Sequence, residues 1–427
     1  MAPLFLRLLV AAAAALLGVL AVAVSVAGEA GYARVFSFGD SLTDTGNALH
    51  LPCTGGGGPA SRPPYGETFF RRPTGRASDG RLALDFLVEA LRLPHPAPYI
   101  AAVAGGGKTA GEFRHGVNFA VGGSTALSPE FYEGRGLKPF VPVSLANQTV
   151  WFQQVVRLLG SSSVHGSKKH FIKVDRDVPT AGRNVQCIIA VLSVTCRKKF
   201  MASSLFIVGE IGVNDYFVSL VGNLTVGEVS TFVPNIVAAI RFVVNEVIVA
   251  GATTVVVPGM IPLGCEPQLL ALYDNDAAAA GGDYDPKSGC MTRLNALAEL
   301  HNRELSRAIG ELRREHPAAS VVYADLYGAV TDIVVSPGRH GFRDDTPLAA
   351  CCGAAGAGAY NFNVTAFCGA AGTTACADPS AYVSWDGVHF TEAANRQIAC
   401  AVLNGGGAAP TTWLAASMAG RSKIGCT

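Results

Sequence analysis

The chain has 427 residues, of which 49% are hydrophobic and 15% are charged, a composition that excludes a disordered protein. This length provides a full hydrophobic core for one large domain or two smaller ones. Lys and Arg number 33 against 32 Asp and Glu, and the formal net charge of +1 gives no indication of a nucleic-acid partner.

Residues 1–30 are typical of a secretory signal peptide and not of a folded domain. Arg7 precedes an apolar run over 8–27, and small residues at Gly28 and Ala30 suit signal-peptidase cleavage. The run is also long enough for an uncleaved signal-anchor, which is the alternative interpretation. We expect an exported mature protein, with no stable membrane insertion once the signal is cleaved.

The cysteine pattern fits an exported chain. There are 11 cysteines, and none has the CxxC spacing of a zinc site, so disulfides are the better explanation and no metal is expected. The odd number leaves at least one thiol unpaired or intermolecular. The segment Gly353–Ala377 is predicted to be a loop held by disulfides. Candidate glycosylation sites of the Asn-x-Thr type occur at Asn147, Asn223 and Asn363.

Strand and helix patterns alternate along the rest of the chain. The predicted buried strands are Arg34–Phe38, Val117–Val121, Leu205–Val208, Thr253–Val257 and Ser320–Ala324. The predicted helices are Asn147–Leu159, Val233–Val249, Leu294–Leu312 and a last helix after the N-cap candidate Thr391. This alternation predicts a single α/β domain over residues 31–427, built around a parallel sheet.

One segment differs in charge from its surroundings. Residues Ser161–Lys199 contain eight Lys or Arg and two Asp, a local net charge of +6. The segment stands between a predicted helix and a predicted strand, where connections in α/β domains usually have about 2–6 residues. We interpret it as an atypical insertion, either a basic surface insertion or sequence retained from an unspliced transcript.

The first strand runs directly into Gly39, Asp40 and Ser41. Gly39 permits a sharp turn, so Ser41 is predicted to lie at the carboxyl end of the strand, near the start of a helix. Ligands collect at this edge of an open parallel sheet, and the N–H groups of a helix N-terminus stabilise negative charge. The alternative is a serine that only caps a helix, and these three residues alone favour that plainer interpretation.

Two further strands are predicted to end beside the first. Val117–Val121 leads to Gly123, and the third strand leads to Asn214. Acyl transfer through a serine requires donors aimed at the oxyanion of the tetrahedral intermediate. The backbone N–H groups of Ser41 and Gly123 and the side-chain amide of Asn214 are donors of the right type. Taken singly, Gly123 is more often part of a tight turn and Asn214 a loop cap.

A general base is expected from the loop before the last helix. His389 lies there, and Asp386 stands three residues earlier, so one tight turn brings its carboxylate to the imidazole. The carboxylate would fix the imidazole tautomer and stabilise the imidazolium formed when Ser41 loses its proton. Loop histidines bonded to a near carboxylate are common, and His115 with Glu112 is a second acid-x-x-His pair.

Taken in order, these residues resemble the four sequence blocks of GDSL-type SGNH hydrolases. The blocks are Gly39-Asp40-Ser41-Leu42, Gly123 after Asn118-Phe119-Ala120, Gly212-x-Asn214-Asp215, and Asp386-x-x-His389. Neighbouring sequence is similar to plant GDSL esterase/lipases at Pro64–Phe70, Gly80–Leu82, Gly209–Gly212 and Pro262–Cys265. Thr43 occupies the last position of a G-x-S-x-G elbow around Ser41, which argues against the α/β-hydrolase fold. The likeness covers nearly the whole mature chain except 161–199.

The resemblance implies a flavodoxin-like three-layer α/β/α sandwich with a five-stranded parallel sheet, the SGNH hydrolase fold. It implies Ser41 as nucleophile, His389 as general base oriented by Asp386, and Ser41, Gly123 and Asn214 as the oxyanion hole. It implies no cofactor, and the usually shallow cleft of the family favours small acyl groups. Its plant members act on acetylated polysaccharides, acylated metabolites or lipids.

We therefore expect a secreted serine ester hydrolase of the apoplast or cell wall, acting on short-chain or O-acetyl esters through an acyl-enzyme. Two alternatives stay open at this point. One is a hydrolase of long-chain lipids, and the other is a catalytically silent member that binds a glycan or an ester.

Overall fold

The computed structural model describes most of the chain that follows the predicted signal peptide. The described residues are 31–51, 58–106, 111–160, 194–273, 283–354, 356, 358–405 and 424. The predicted signal peptide, 1–30, and residues 161–193 of the predicted insertion lie outside them. Both therefore stay predictions.

The centre of the fold is a parallel sheet of six strands in the order β2-β3-β1-β4-β5-β6. The strands are β1 Arg34–Phe38, β2 Ala97–Pro98, β3 Gly116–Asn118, β4 Ser204–Val208, β5 Thr254–Pro258 and β6 Ser320–Ala324. Phe36 of β1 pairs in parallel with Val117 on one side and with Phe206 on the other. The carboxyl ends of β1, β3 and β4 therefore reach the same edge of the sheet.

The five predicted strands are all present, and the sheet has one strand more than predicted. The additional strand, β2, contributes two residues at the sheet edge, too few for a period of alternation to show in the sequence. Without β2 the remaining strands have the flavodoxin-like order 2-1-3-4-5, which opens a crevice beside the first strand where the order reverses. The predicted α/β sandwich is confirmed.

Helices cover both faces of this sheet. The described α-helices are α1 Ala83–Ala90, α2 Tyr99–Ala104, α3 Pro129–Glu133, α4 Leu145–Gly160, α5 Val194–Ala202, α6 Val213–Val221, α7 Val226–Ser230, α8 Val233–Ala250, α9 Pro267–Tyr273, α10 Thr292–Glu315, α11 Leu326–Val335 and α12 Glu392–Leu403. Each predicted helix lies within α4, α8, α10 or α12. The hydroxyl of Thr391 accepts a hydrogen bond from the Ala394 N–H at 3.2 Å, so Thr391 is the N-cap of α12 as predicted.

Alternation along the strands separates two apolar layers. Phe36 and Phe38 of β1 are buried on one face, with Phe206 and with side chains of α4, α8 and α10, while Val35 faces α1 on the other. The Phe36 ring stacks on Phe206 with centroids 5.1 Å apart, and Phe38 lies 5.0 Å from Phe119. Burial of each such ring stabilises the fold by about 1.5–3 kcal/mol. This packing holds β1, and so the turn that carries Ser41, in a fixed position.

One segment among the described residues, Val226–Ala250, is long and apolar enough to cross a membrane. It comprises α7 and α8, and Ile236, Ile240 and Val247 on its inner face are buried in the layer against the sheet. An apolar helix of this kind is expected wherever sheet and neighbouring helices cover most of its circumference. The segment is accounted for as a core helix.

Disulfides hold the long segment that precedes α12. Cys351 bonds to Cys376 and Cys352 to Cys368, closing loops over sequence separations of 25 and 16 residues. The Cys351–Cys376 loop contains a two-stranded antiparallel sheet of β7 Cys352–Ala354 and β8 Thr373–Ala375. Loop closure of this length stabilises a fold by about 3 kcal/mol per disulfide in the chain-entropy account. The predicted disulfide-held loop is confirmed, and Cys265–Cys290 forms a third bridge.

The end of the predicted insertion belongs to the fold. Helix α5 begins at Val194 and leads into β4, although the predicted insertion extends to Lys199. The guanidinium of Arg34 on β1 donates to the Phe200 carbonyl at 2.8 Å and lies 3.6 Å above the Phe200 ring. Met201 is fully buried. The last six residues of the predicted insertion, 194–199, therefore belong to a helix that leads into the sheet.

Candidate active site

Ser41 lies at the carboxyl edge of the sheet, in a turn that depends on Gly39. Gly39 has φ +152°, and a Cβ there would lie 2.4 Å from Thr43 Oγ1 and 2.9 Å from the Glu210 carbonyl oxygen. Residues 41–43 form a turn and 45–47 a bend, and only a 3-10 helix, Ala48–His50, follows, so the prediction of a helix start beside Ser41 is wrong. Side-chain carboxylates accept hydrogen bonds from backbone N–H groups in this turn. Asp40 Oδ1, for example, accepts from the Leu42 N–H at 3.0 Å.

Asp44 ties this turn to the neighbouring strand end. Its carboxylate accepts from the N–H groups of Gly46, Asn47 and Ala48 at 2.6–2.9 Å, and from that of Gly122 at 2.8 Å. A Cβ on Gly122 would lie 3.6 Å from Ser41 Cβ, which places the Gly122–Gly123 turn directly against Ser41. Two loops that are distant in sequence thereby form one rigid unit.

Ser41, His389 and Asp386 form a continuous hydrogen-bonded chain. Ser41 Oγ lies 2.8 Å from His389 Nε2, and His389 Nδ1 lies 2.7 Å from Asp386 Oδ2. Asp386 is almost fully buried. The structure therefore brings together the three residues predicted to act as nucleophile, base and orienting acid, although they come from opposite ends of the chain.

Asp386 receives four hydrogen bonds, two at each oxygen. Oδ1 accepts from the N–H groups of Val388 and His389, at 3.0 and 2.8 Å. Oδ2 accepts from His389 Nδ1 and from the hydroxyl of Tyr65, which donates at 2.7 Å. Tyr65 is itself buried, with its ring edge-on against Trp385. Sequence reasoning assigned no role to Tyr65, which lay only within the block that resembles plant GDSL proteins.

The electrostatics of this chain favour a charged Asp386 and a basic His389. Burial alone would raise the pKa of Asp386, but the charge and hydrogen bond of His389, together with the Tyr65 hydroxyl, hold it below its usual value. Burial alone would lower the pKa of His389, but the Asp386 carboxylate outweighs it and raises that pKa. An imidazole in this setting is a stronger proton acceptor than a free one.

The predicted oxyanion donors surround the same serine. Within the described part of the chain, the backbone N–H groups of Ser41 and Gly123 donate no hydrogen bond to other protein groups. Gly123 has φ +83°, which favours glycine there. Asn214 Nδ2 donates to Asp40 Oδ2 at 3.1 Å and to the Ser124 carbonyl at 3.0 Å. Asn214 is thus held by both loops that border Ser41.

Further carboxyl groups are buried close to this site. Burial, reinforced by neighbouring carboxylates, raises the pKa of Glu266 to about 8 and that of Asp40 to about 7, and holds the pKa of Glu210 well above its usual range. Glu210 is 2% exposed, and neither of its carboxyl oxygens has a hydrogen-bond partner among the described residues. Burial thus favours the neutral forms of Glu210 and Glu266, whereas the pKa of Asp386 stays below its usual value and favours its charged form.

Other predicted positions fall outside this centre. Asn147, Asn223 and Asn363 are all exposed, as glycosylation requires, and their modification stays a prediction. His115 lies in an exposed loop, where it contacts Arg114. Among the residues that the structure describes, no group of three or more His, Cys, Asp or Glu could hold a metal ion.

The chain thus combines a flavodoxin-like sandwich with a hydrogen-bonded serine, histidine and aspartate at the carboxyl edge of its sheet. A family model described as GDSL-like Lipase/Acylhydrolase matches residues 35–402. The chain belongs to this family, which has the SGNH hydrolase fold, and the predicted resemblance is confirmed.

Curated relatives agree with this assignment. Sinapine esterase of Brassica napus is 38% identical over 380 residues, which cover 89% of this chain and 87% of that protein. A GDSL esterase/lipase of Arabidopsis thaliana is 38% identical over 375 residues, covering 88% of this chain and 84% of its own length. The family and these relatives define the activity of the chain as carboxylic ester hydrolysis.

Proposed function

We propose that the chain is a secreted serine esterase that cleaves short-chain or O-acetyl esters through an acyl-enzyme. The observation that carries this proposal is the hydrogen-bonded chain from Ser41 through His389 to Asp386, at 2.8 and 2.7 Å. In it Ser41 is the nucleophile, His389 the general base, and Asp386 the carboxylate that orients the imidazole.

Acylation follows from this geometry. Ser41 Oγ attacks the ester carbonyl carbon while His389 Nε2 takes its proton, which gives a tetrahedral oxyanion and an imidazolium facing Asp386. The imidazolium then gives the proton to the leaving alcohol oxygen as the carbon–oxygen bond breaks. Water, deprotonated by His389, attacks the acyl-enzyme in the same way and releases the acid, and the proton returns to Ser41.

The oxyanion would be held by the N–H groups of Ser41 and Gly123, which have no protein acceptor within the described residues. Asn214 is the third donor, and it joins when one Nδ2 hydrogen turns from the Ser124 carbonyl or from Asp40 to the substrate oxygen. Donors fixed in advance of the reaction stabilise the developing charge without a cost of reorganisation at that moment.

Secretion is supported by the covalent chemistry of the chain. Disulfides such as Cys351–Cys376 form in oxidising compartments. The three Asn-x-Thr sequences lie at exposed positions, and residues 1–30 have the composition of a signal peptide. These features favour a location in the apoplast or cell wall.

Tyr65→Phe is expected to lower kcat by about 3- to 10-fold. The substitution removes the hydrogen bond from the Tyr65 hydroxyl to the Asp386 carboxylate. A hydrogen bond to a charged group contributes about 1.5–3 kcal/mol, and part of this stabilisation acts on His389, which Asp386 orients. The Asp386 charge would then act more strongly on His389 and raise its pKa further. Activity requires the neutral imidazole, so it falls as the pH drops through the pKa of His389. The acid limb of the pH–kcat/KM profile should therefore move to higher pH.

A suitable control for this substitution is Tyr99→Phe. Tyr99 is also buried, but its hydroxyl donates to the neutral amide of Gln154. The control should leave the acid limb in place. An unmoved acid limb in Tyr65→Phe would show that Tyr65 only fills space.

A long-chain lipid hydrolase is the second candidate function. An apolar cavity lies beside the nucleophile loop, lined by Leu42, by Leu87 of α1 and by Ile398 of α12 among other residues. Long acyl chains require an apolar surface of this kind. A catalytically silent binding protein has less support, since every predicted catalytic side chain is present and in hydrogen-bond contact.

The deciding experiment is hydrolysis of p-nitrophenyl esters from acetate to palmitate by the protein recovered from the culture medium, with Ser41→Ala as background. We expect kcat/KM to be highest for the shortest acyl groups and to fall with chain length. A maximum at palmitate would instead support the lipid hydrolase. A folded, secreted protein that cleaved none of these esters would support the silent binder.

A further inference from the structure

Asp40 is a buried carboxyl beside the nucleophile that the proposed reaction does not use. It directly precedes Ser41 in the chain and is 1% exposed. A carboxyl is costly to bury unless hydrogen bonds compensate for the water that it loses. Its Oδ1 accepts from the Leu42 N–H at 3.0 Å, a local contact that aspartates commonly make in turns. This contact accounts for one of the two carboxyl oxygens.

The second oxygen of Asp40 contacts a different loop. Oδ2 accepts a hydrogen bond from Asn214 Nδ2 at 3.1 Å, across 174 residues of sequence. Nδ2 carries two hydrogens, and it also donates to the Ser124 carbonyl at 3.0 Å. The Asp40 carboxyl therefore connects the turn that carries the nucleophile with the amide that is the proposed third oxyanion donor.

These contacts restrict where the Asn214 amide can lie. The terminal torsion of an asparagine is soft, so a hydrogen bond to Ser124 alone would leave the amide free to turn about that bond. Two acceptors from separate loops fix its plane. Asp40 and Leu42 flank Ser41 in the chain and are bonded to each other, so the carboxyl has a fixed position relative to the nucleophile. Oxyanion donors contribute most when they are oriented before the reaction begins.

We propose that Asp40 is a positioning residue for the oxyanion hole, which holds the Asn214 amide at a fixed distance from Ser41. This inference rests on the proposed function and adds a residue that acts through Asn214 without touching the substrate. When one Nδ2 hydrogen turns to the substrate oxygen, the remaining hydrogen bond keeps the amide in place. The oxyanion exists only after Ser41 has attacked, so a loss of this positioning should lower kcat and leave KM nearly unchanged.

Asp40→Ser separates the positioning of Asn214 from the contact within the turn. A serine hydroxyl can accept from the Leu42 N–H, as serines do in turns, but it is too short to reach Asn214 as well. For p-nitrophenyl acetate, kcat should fall by about 10- to 100-fold, less than the roughly 10²- to 10³-fold cost of removing an oxyanion donor outright. KM should change by less than about 3-fold. A residue that only closed the turn would leave kcat near that of the wild type.

The deciding measurement is a double-mutant cycle of Asp40→Ser with Asn214→Ala. If Asp40 acts through Asn214, Asp40→Ser should lower kcat by no more than about 3-fold once the amide is absent. Losses that multiply in the double variant, or wild-type kcat in either single variant, would overturn this inference. If Asp40→Ser does not fold, Asp40→Asn serves in the same cycle. The fixed Leu42 N–H would take its one amide oxygen, and its NH₂ group would then face the Asn214 amide.

Glu266→Gln is the matched control for the loss of a buried carboxyl. Burial lowers the pKa of His389 and the orienting aspartate raises it, and the charges of Asp40 and Glu266 raise it as well. Glu266, however, accepts its hydrogen bond from Gln268, at 2.7 Å. The effect of Glu266→Gln on kcat should therefore be the same in the wild type and in Asn214→Ala.

The activity of the wild type separates this inference from the proposed function. An active wild type whose losses multiply in the double variant would remove the role of Asp40 and leave the esterase standing. A folded wild type that does not hydrolyse p-nitrophenyl acetate would remove the proposed function, and this inference with it.

Discussion

Ser41→Ala is expected to lower kcat for ester hydrolysis by on the order of 10³-fold or more while the fold stays intact. The substitution removes the oxygen that lies 2.8 Å from His389 Nε2 and would carry the acyl group. Residual hydrolysis should come from the oxyanion donors and from substrate binding alone. The turn itself should survive, because Asp44 and Gln148 hold its backbone through hydrogen bonds that do not involve Ser41.

Ser37→Ala is the matched control on the same strand. Its hydroxyl is fully buried and has no hydrogen-bond partner among the described residues, so removing it should cost little stability and no activity. The measurement is kcat for p-nitrophenyl acetate, together with labelling by a fluorophosphonate that reacts with activated serines. The wild type and Ser37→Ala should each take one label, on Ser41. Near-normal turnover by Ser41→Ala would assign the chemistry to another group.

The layout of the site could be predicted because parallel strands impose it. The loops after β1, β3 and β4 all leave from one edge of the sheet. Ser41, Gly123 and Asn214 lie within six residues of these strand ends, so the sequence predicted that they would be close together. His389 and Asp386 were predictable for a local reason, since a spacing of three residues in a tight turn brings the two side chains together.

Other parts of the site carry no local pattern. Tyr65 donates to Asp386 across 321 residues of sequence, and nothing around Tyr65 indicates that contact. Strand β2 is too short to show alternation. No α-helix starts after Ser41, because the carboxylates of Asp40 and Asp44 accept hydrogen bonds from the backbone N–H groups of Leu42 and Gly46. Such side-chain hydrogen bonds compete with helix formation, and helix propensities alone do not predict which arrangement forms.

Asp386→Asn is expected to lower kcat by about 10³- to 10⁴-fold with little change in the fold. The reason lies in the four donors that surround this carboxylate. Two backbone N–H groups, of Val388 and His389, point at Oδ1, while His389 Nδ1 and the Tyr65 hydroxyl meet Oδ2. An asparagine can accept through one oxygen only, and the backbone N–H groups cannot turn away. The amide oxygen must therefore take the Oδ1 position and leave its NH₂ group facing the imidazole.

An NH₂ group facing Nδ1 forces that nitrogen to accept, so the imidazole proton moves to Nε2 and points at Ser41 Oγ. His389 then holds a proton on the nitrogen that should receive one, and general base catalysis stops although every side chain stays in place. Ring ¹⁵N chemical shifts of His389 should show this change of tautomer together with the loss of kcat.

Glu266→Gln is the matched control. It alters a buried carboxyl close to His389 but does not place an NH₂ group against the imidazole Nδ1, so its effect on kcat should stay within about 10-fold. Retention of the Nδ1 proton in Asp386→Asn, with kcat lowered less than in the control, would show that Asp386 does not set the tautomer.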